Sequence, residues 1–329
     1  MTCVRCSRVG VQNASHKFDT VLAHPNVRFF GNVHVQSVKA LREHYDAVIL
    51  ANGAEEDREL GVPGEREAAQ NGAGMLSARE FVGWYNGHPD LRHLRPRLDS
   101  TDRAVVVGQG NVALDVARVL LSPVDALAKT DIAPHALEEL RKSRIRRVDI
   151  VGRRGPVQVA FTIKELREMM NLPANGGGTL PLVSDSQAQT TEALDLLLHS
   201  KPKWEKERPR KRLMELLQTA LRTASADQMA PSSKAWSLHF LRSPAEIVLD
   251  ASRKQVTALK LVVNSLDSAT ENAVPTGLVT SIPTGLVLRS IGYKSVPFVD
   301  APFDNRTKSI PNSAGRVVDS STKVFATRN

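Results

Sequence analysis

The fold is decided by Ala104 to Leu121, which reads AVVVGQGNVALDVARVLL. The four apolar residues at its start predict a buried strand, and the apolar pattern from Leu114 onward predicts a helix. Between them stands Gly108-x-Gly110-x-x-Ala113, a dinucleotide-binding pattern in its predicted strand–turn–helix context. Gly108 permits the sharp turn, Gly110 lets a pyrophosphate approach the backbone, and Ala113 lets the helix pack against the strand. The N-terminus of such a helix offers free N–H groups to phosphates.

The end of the next predicted strand indicates which dinucleotide is bound. Val148 to Val151 predict that strand, and Arg153 and Arg154 follow Gly152 directly. NAD sites place an acidic residue at this position, whereas NADP sites place arginine there to hold the 2′-phosphate. Two guanidinium groups suit that dianion through charge-assisted contacts, so the sequence favours NADP(H). A solvated basic loop is the alternative, because the interval from Gly110 to Arg153 exceeds the usual ~20 residues.

The wider chain predicts an α/β protein. Residues 45–50 resemble a buried parallel strand, residues 76–87 a helix, and residues 88–102 a polar connection at a domain boundary. A long helical stretch is expected at 124–144 and two short strands at 27–35. Further strands are expected at 236–249, 256–264 and 286–293, joined by hairpins.

Composition excludes several classes of protein. The chain has 329 residues, 44 Lys+Arg against 35 Asp+Glu, and a net charge of +9. No apolar run approaches the ~18 residues of a transmembrane helix. Its two cysteines, Cys3 and Cys6, cannot form a disulfide framework or a structural zinc site. The acid-poor residues 1–18 are compatible with a mitochondrial transit peptide or with an ordinary basic terminus.

A dense basic stretch occupies residues 201–212. A solvated loop and a nucleic-acid patch are both compatible with it, but Trp204 alone gives little aromatic interleaving for nucleic acid. We therefore expect no nucleic-acid partner. The basic residues of this stretch are Lys201, Lys203, Lys206, Arg208, Arg210, Lys211 and Arg212.

These motifs resemble the mitochondrial ferredoxin–NADP reductases of the adrenodoxin reductase type. The resemblance runs from about residue 16 to about residue 319. Its most specific parts lie in the middle of the chain. The matching segments are Gly61–Glu65, Phe81–Gly87, Val107–Arg118, Val151–Leu172 and Ser290–Ser295.

The resemblance implies a flavoenzyme of two dinucleotide-binding domains, in which NADPH reduces FAD and FAD passes single electrons to an acidic [2Fe–2S] ferredoxin. It also implies a mitochondrial matrix location near the inner membrane, at most peripheral membrane contact, and an indirect link to cytochromes P450 or iron–sulfur assembly. The cofactors carry the chemistry, so no catalytic side chain is expected.

Site residues follow from the same resemblance, position by position. Arg153 and Arg154 would bind the 2′-phosphate, and Glu165 would belong to the same NADP site. The basic residues Arg208, Arg210, Lys211 and Arg212 would dock the ferredoxin. The residues expected along the pyrophosphate are Gly108, Gln109, Gly110, Asn111 and Val112.

The sequence also departs from the family pattern. No G-x-G-x-x-G turn for FAD precedes Gly108, and the closing Gly-Trp segment over the flavin is not found. We therefore expect residues 1–99 to form part of an FAD domain, residues 100–290 an NADP domain, and residues 291–329 the truncated start of the returning FAD segment. The alternative function is an inactive remnant that binds NADP(H) or ferredoxin without electron transfer.

Overall fold

The computed structural model describes residues 18–173, 182–184, 187–200, 204–223, 225–226, 234–267, 269–318 and 324–326. Residues 1–17, the acid-poor start of the chain, and most of the predicted loop at 174–190 lie outside these ranges. The chain divides into two compact units. Among the described residues, one unit is Glu59–Ile291, and the other combines residues 18–58 with the described residues from Gly292 onward.

Strands are distributed along the whole described chain. They are, in order, β1 (Val48–Leu50), β2 (Glu56–Asp57), β3 (Met75–Ser77), β4 (Arg103–Val107), β5 (Arg147–Val151), β6 (Val183–Ser184), β7 (Ser225–Ala226), β8 (Ala235–His239), β9 (Arg242–Leu249), β10 (Val256–Leu266), β11 (Ala273–Pro283), β12 (Leu286–Arg289), β13 (Tyr293–Lys294), β14 (Asn312–Ser313), β15 (Arg316–Val317) and β16 (Val324–Ala326).

Most helices belong to the first unit. In chain order they are α1 (Val38–Arg42), α2 (Glu65–Gln70), α3 (Ala78–Tyr85), α4 (Asn111–Leu121), α5 (Val124–Leu127), α6 (Pro134–Arg141), α7 (Ile163–Met170), α8 (Gln187–His199) and α9 (Arg208–Arg222).

The first unit is built on a five-stranded sheet in the order β3-β12-β4-β5-β8. Every neighbouring pair in it is parallel, and Val107 at the end of β4 pairs with Val151 of β5. Central β4 and β5 are buried from their second residue onward, as their apolar sequences predict. The predicted α/β class is confirmed.

Two layers cover the faces of this sheet. Helices pack on one face, where Val106 and Ile150 of the sheet join a large core with Leu114, Leu120 and Leu166. The three-stranded antiparallel sheet β11-β10-β9 is associated with the other face, where Val105 and Val151 share a second core with residues such as Leu259 and Ile282. The parallel sheet is therefore buried on both sides.

Residues 59–99 belong to this first unit, whereas the sequence analysis predicts a domain boundary near residue 100. Strand β3 pairs with β12, and α3 buries Phe81, Trp84 and Tyr85 in the helical core. Helix α3 begins at a capping box, in which Ser77 and Glu80 bond each other's main-chain N–H. Apolar burial holds this segment to the parallel sheet, so the polar connection at 88–102 lies within a unit.

The second unit is smaller. Its mixed four-stranded sheet has the order β1-β16-β15-β14, and β2 pairs with β13 in a separate antiparallel ladder. Its core is formed by Val38, Val48, Leu50 and Val317. Asp300 stabilises the start of α1, because its carboxylate accepts the Ser37 hydroxyl and the main-chain N–H groups of Val38 and Lys39.

Two sequence-based expectations were wrong. The helix predicted over 124–144 is broken into α5 and α6, because Pro134 starts a new helix at its first turn. Residues 27–35 form no strand, and Phe29 and Phe30 are exposed there. A strand needs a neighbour that pairs with its backbone N–H and C=O groups, and no described strand pairs with residues 27–35. Among the described residues, no helix is long and apolar enough to cross a bilayer.

Candidate dinucleotide-binding site

The turn at Gly108 follows β4 where the predicted pattern places it. The Gly108 N–H donates to the carbonyl of Val151 at 2.8 Å, and its φ of 129° lies in the region that favours glycine. A Cβ at this position would clash with the main-chain oxygen of Ser290, which follows β12. The fold itself therefore requires glycine at position 108.

Gly110 behaves differently. It is the N-cap of α4 with φ of −104°, a conformation open to any residue, and a Cβ there would meet nothing within 4 Å. Neither backbone geometry nor packing within the chain explains a glycine here. Open space lies in front of its Cα, beside the first turn of an eleven-residue helix. That arrangement fits a phosphate group lying against the backbone.

Gln109 connects this turn to the end of β5. Its side-chain amide lies so close to Gly152 that a Cβ on Gly152 would overlap it. The amide Nε2 donates to the carbonyl of His239 at 3.2 Å, and the Gly152 N–H donates to the same carbonyl at 2.8 Å. Gln109 thereby fixes the turn against the residue that precedes Arg153.

Asn111 connects the turn to α7. Its Oδ1 accepts the main-chain N–H of Thr162, the N-cap of α7, at 2.8 Å. The Thr162 hydroxyl in turn donates to the carboxylate of Glu165 in the first turn of that helix. The structure therefore brings Glu165 close to the glycine turn, while Val112 packs against the helical core.

Arg153 and Arg154 lie in the loop after β5, and both are exposed. Neither guanidinium group forms a hydrogen bond or ion pair with any described residue, so both are available to an anion. Their backbone is fixed, since the Arg153 carbonyl accepts from Asn264 and the Arg154 carbonyl accepts the Leu241 N–H. Two free cations on an anchored loop suit a phosphate monoester.

A buried charge network supports this loop, and the sequence analysis missed it. Asp149 of β5 is fully buried and accepts hydrogen bonds from Arg103 at 2.5 Å and from His239 at 2.9 Å. Burial alone would raise its pKa, but the bonds from His239 and Arg103 outweigh it and hold the pKa of Asp149 well below its usual range. The sequence did contain a signal for this network. Asp149 stands between Val148 and Ile150 in a predicted buried strand, and a buried charge requires partners.

A second acidic residue lies on α4. Asp115 is buried and pairs with Arg118 at 2.5 Å, and Arg118 also lies 3.5 Å from Glu168 on α7. Burial raises the pKa of Asp115, while the bond from Arg118 opposes that shift. These contacts, together with Asn111, hold α4 and α7 in one orientation beside the turn.

Several known proteins are similar to this chain over almost its whole length. The NADPH:adrenodoxin oxidoreductase of Salvelinus fontinalis is 48% identical over 317 residues, which is 93% of this chain and 60% of that protein. The human protein of the same name is 47% identical over 324 residues, covering 94% of this chain and 61% of the relative. The structure of Mycobacterium tuberculosis FprA in complex with NADPH matches with a TM-score of 0.80 and 38% identity, over 96% of this chain and 66% of that one.

The chain is similar to the NADPH:adrenodoxin oxidoreductases over nearly its whole length. It spans about 60% of the length of the curated relatives it matches. The relatives named here from fish and human are described as mitochondrial. No family model matches the chain.

The basic stretch that the family resemblance assigns to ferredoxin docking overlaps the start of α9, which gives its cations different surroundings. Arg208 and Arg212 lie one turn apart, are exposed, and have no bond to any described residue. Arg210 turns inward, where its Nη1 donates to the carbonyl of Val159 at 3.1 Å and burial lowers its pKa. The Nζ of Lys211 lies 3.9 Å from Oε1 of Glu205. Arg208 and Arg212 are therefore two cations of this stretch that the described residues leave exposed and unpaired.

Proposed function

We propose that this chain binds NADPH along the Gly108–Ala113 turn and serves NADPH-dependent reduction of an adrenodoxin-type [2Fe–2S] ferredoxin. The family names of its relatives and the NADPH-bound FprA neighbour support the cofactor and the reaction. The observation that carries the proposal is the open space at Gly110, which nothing inside the protein explains.

Each part of the site has one role in holding NADPH. Main-chain N–H groups in the first turn of α4, from Asn111 and Val112, would hold the pyrophosphate, aided by the positive end of the helix dipole. Arg153 and Arg154 would hold the 2′-phosphate with their free guanidinium groups. Glu165 would lie at the edge of the same site, held by Thr162.

FAD, when bound, would accept a hydride from NADPH and release electrons singly. Among the described residues, however, Gly108–Ala113 is the one G-x-G-x-x-G/A turn that follows a strand. The described residues thus provide no second turn of this kind for FAD.

The partner would be an acidic ferredoxin, docked by the exposed cations at the start of α9. Complementary charge of this kind raises the rate of encounter and fixes orientation. The location would be the mitochondrial matrix, with at most peripheral contact with the inner membrane. The electrons would then serve cytochromes P450 or iron–sulfur assembly.

Replacing Gly110 by alanine tests the cofactor site. The change should alter the free energy of unfolding by less than about 1 kcal/mol, because the conformation and space permit a methyl group. It should nevertheless weaken NADPH binding by about tenfold or more, a loss of at least ~1.4 kcal/mol, because the methyl group would occupy the phosphate position.

Isothermal titration with NADP⁺ and chemical denaturation measure the two effects. Gly108→Ala is the matched control, since it should destabilise the fold through its clash with Ser290. Unchanged NADP⁺ affinity in Gly110→Ala would remove the turn from the binding site.

A second candidate function is binding of NADP(H) or ferredoxin without electron transfer. The visible absorbance spectrum after incubation with FAD and desalting distinguishes the two. A retained flavin spectrum that NADPH bleaches supports reduction of ferredoxin, and a colourless protein that still binds NADP⁺ supports binding alone.

A further inference from the structure

A cavity of about 400 Å³ lies in the first unit, formed by residues that take no part in the candidate NADP site. Its volume falls within the range of about 300–1,000 Å³ that is typical of small-molecule sites. Its apolar wall comes from Ala69 near the end of α2, from Met75 and Leu76 of the edge strand β3, and from Leu94. Its polar lining consists of His93, Arg95, Arg97, Arg289 and Glu80.

The cations on one wall come from residues 93–97, an irregular segment in which more and less exposed residues alternate. Leu94 packs against the core, and Pro96 and Leu98 are buried. The intervening residues His93, Arg95 and Arg97 line the cavity. Burial of Pro96 and Leu98 anchors the backbone of this wall, while the side chains of His93 and Arg95 are exposed to an incoming ligand.

Two of these cations have no countercharge. Arg95 reaches only the carbonyls of His93 and Leu94, at 3.4 and 3.2 Å, and Arg97 donates to the carbonyl of Lys254 at 3.0 Å. Neither forms an ion pair with a carboxylate of any described residue. By contrast, Arg289 pairs with Glu65 at 2.8 Å, and Glu80 is engaged by the Ser77 N–H.

Backbone strain lies at the same wall. Arg97 has a φ of 57°, which a non-glycine residue adopts rarely and at a cost in free energy. The buried residues on either side of it, Pro96 and Leu98, hold it in that conformation. Backbone strain of this kind is often found at binding positions. A cation without a countercharge in a cleft also concentrates the electric field there, which attracts anions.

We infer that this cavity is a second ligand site, for a small molecule that carries a multivalent oxyanion on an apolar body. The forked donors of Arg95 and Arg97 suit phosphate or carboxylate oxygens. The apolar wall formed by Ala69, Met75, Leu76 and Leu94 would take the remainder of the molecule. The site is independent of NADPH binding, since it shares none of the residues assigned to the cofactor.

Titration of the full chain with inorganic pyrophosphate and with citrate tests this site. The Gly110→Ala/Arg153→Gln/Arg154→Gln variant is the background, so that neither the pyrophosphate position at the turn nor the cations proposed for the 2′-phosphate compete. Arg95→Gln in that background should weaken binding about fivefold or more, since charge-assisted hydrogen bonds are lost. Arg95→Gln/Arg97→Gln should weaken it further, and the difference should shrink at high salt.

Arg92→Gln is the matched control, because it removes the same charge from an exposed neighbour that does not line the cavity. Tighter binding of pyrophosphate than of citrate would assign the site to phosphorylated ligands, and the reverse order to carboxylates. Equal affinities in the Arg95→Gln and Arg92→Gln variants, or no binding of either probe to the background, would overturn the proposal.

Discussion

The side-chain Oδ1 of Asn111 accepts the main-chain N–H of Thr162 at 2.8 Å, so the first residue of α4 also supports the start of α7. Asn111 thus serves two elements with different groups. Its side chain holds α7, and its main-chain N–H is left for the phosphate of a cofactor.

Two substitutions at Asn111 should separate these roles. Asn111→Ala removes the acceptor for Thr162 and should lower the free energy of unfolding by about 1–2 kcal/mol, with weaker NADP⁺ binding as α7 shifts. Asn111→Asp keeps an acceptor and suits a helix N-terminus, so stability should be retained, while its charge repels the pyrophosphate. Denaturation and titration of both variants check this. Equal loss of stability in the two would contradict the division of roles.

Removal of both loop arginines should change cofactor preference. Arg153→Ala/Arg154→Ala should weaken NADPH binding far more than NADH binding, because only NADPH carries the 2′-phosphate. Titration with each cofactor measures the difference. Arg141→Ala/Arg144→Ala removes the same charge from exposed residues that precede β5 and should leave the preference unchanged. An equal loss for both cofactors in the Arg153/Arg154 variant would refute the 2′-phosphate assignment.

The sequence predicted the glycine turn, β4, β5 and the position of Arg153 because each depends on neighbours a few residues away. It did not predict the contacts of Gln109 and Asn111, since their partners Gly152, His239 and Thr162 are distant along the chain. The long interval between Gly110 and Arg153 has a physical explanation. Helices α5 and α6 occupy it and bury Leu127 and Leu140 in the helical core.

Residues 27–35 show that a local sequence pattern can also predict an element that does not form. Residues 27–35 carry a strand-like alternation of side chains, but a strand forms only where a neighbour supplies hydrogen bonds. The continuous apolar run at residues 48–50 does form β1, because Val48 to Leu50 pair with Val324 to Ala326 far along the chain. Local pattern alone does not separate these two cases.

The exposed cations at the start of α9 should control ferredoxin binding. Neutralising Arg208, Arg210, Lys211 and Arg212 together should weaken binding of an adrenodoxin-type ferredoxin, most clearly at low salt. Arg208→Gln/Arg212→Gln should reproduce most of that loss. Arg210→Gln should act mainly on stability, because that guanidinium holds the Val159 carbonyl. Association rates measured over a salt series would show this, and rates unaffected by the Arg208/Arg212 change would refute the docking surface.

The Asp149 network should make stability depend on acid pH. The folded-state pKa of Asp149 lies below its unfolded value of about 3.9, so its contribution is fully present above about pH 4–5 and is lost as pH falls toward the folded pKa. Asp149→Asn should therefore flatten the acid limb of a plot of unfolding free energy against pH. It should also destabilise the protein near pH 7 by about 3–5 kcal/mol, because Arg103 and His239 lose a buried anion. Asp131→Asn is the control, because it removes an exposed carboxylate outside the network. The same acid limb in wild type and Asp149→Asn would show that the buried network does not set it.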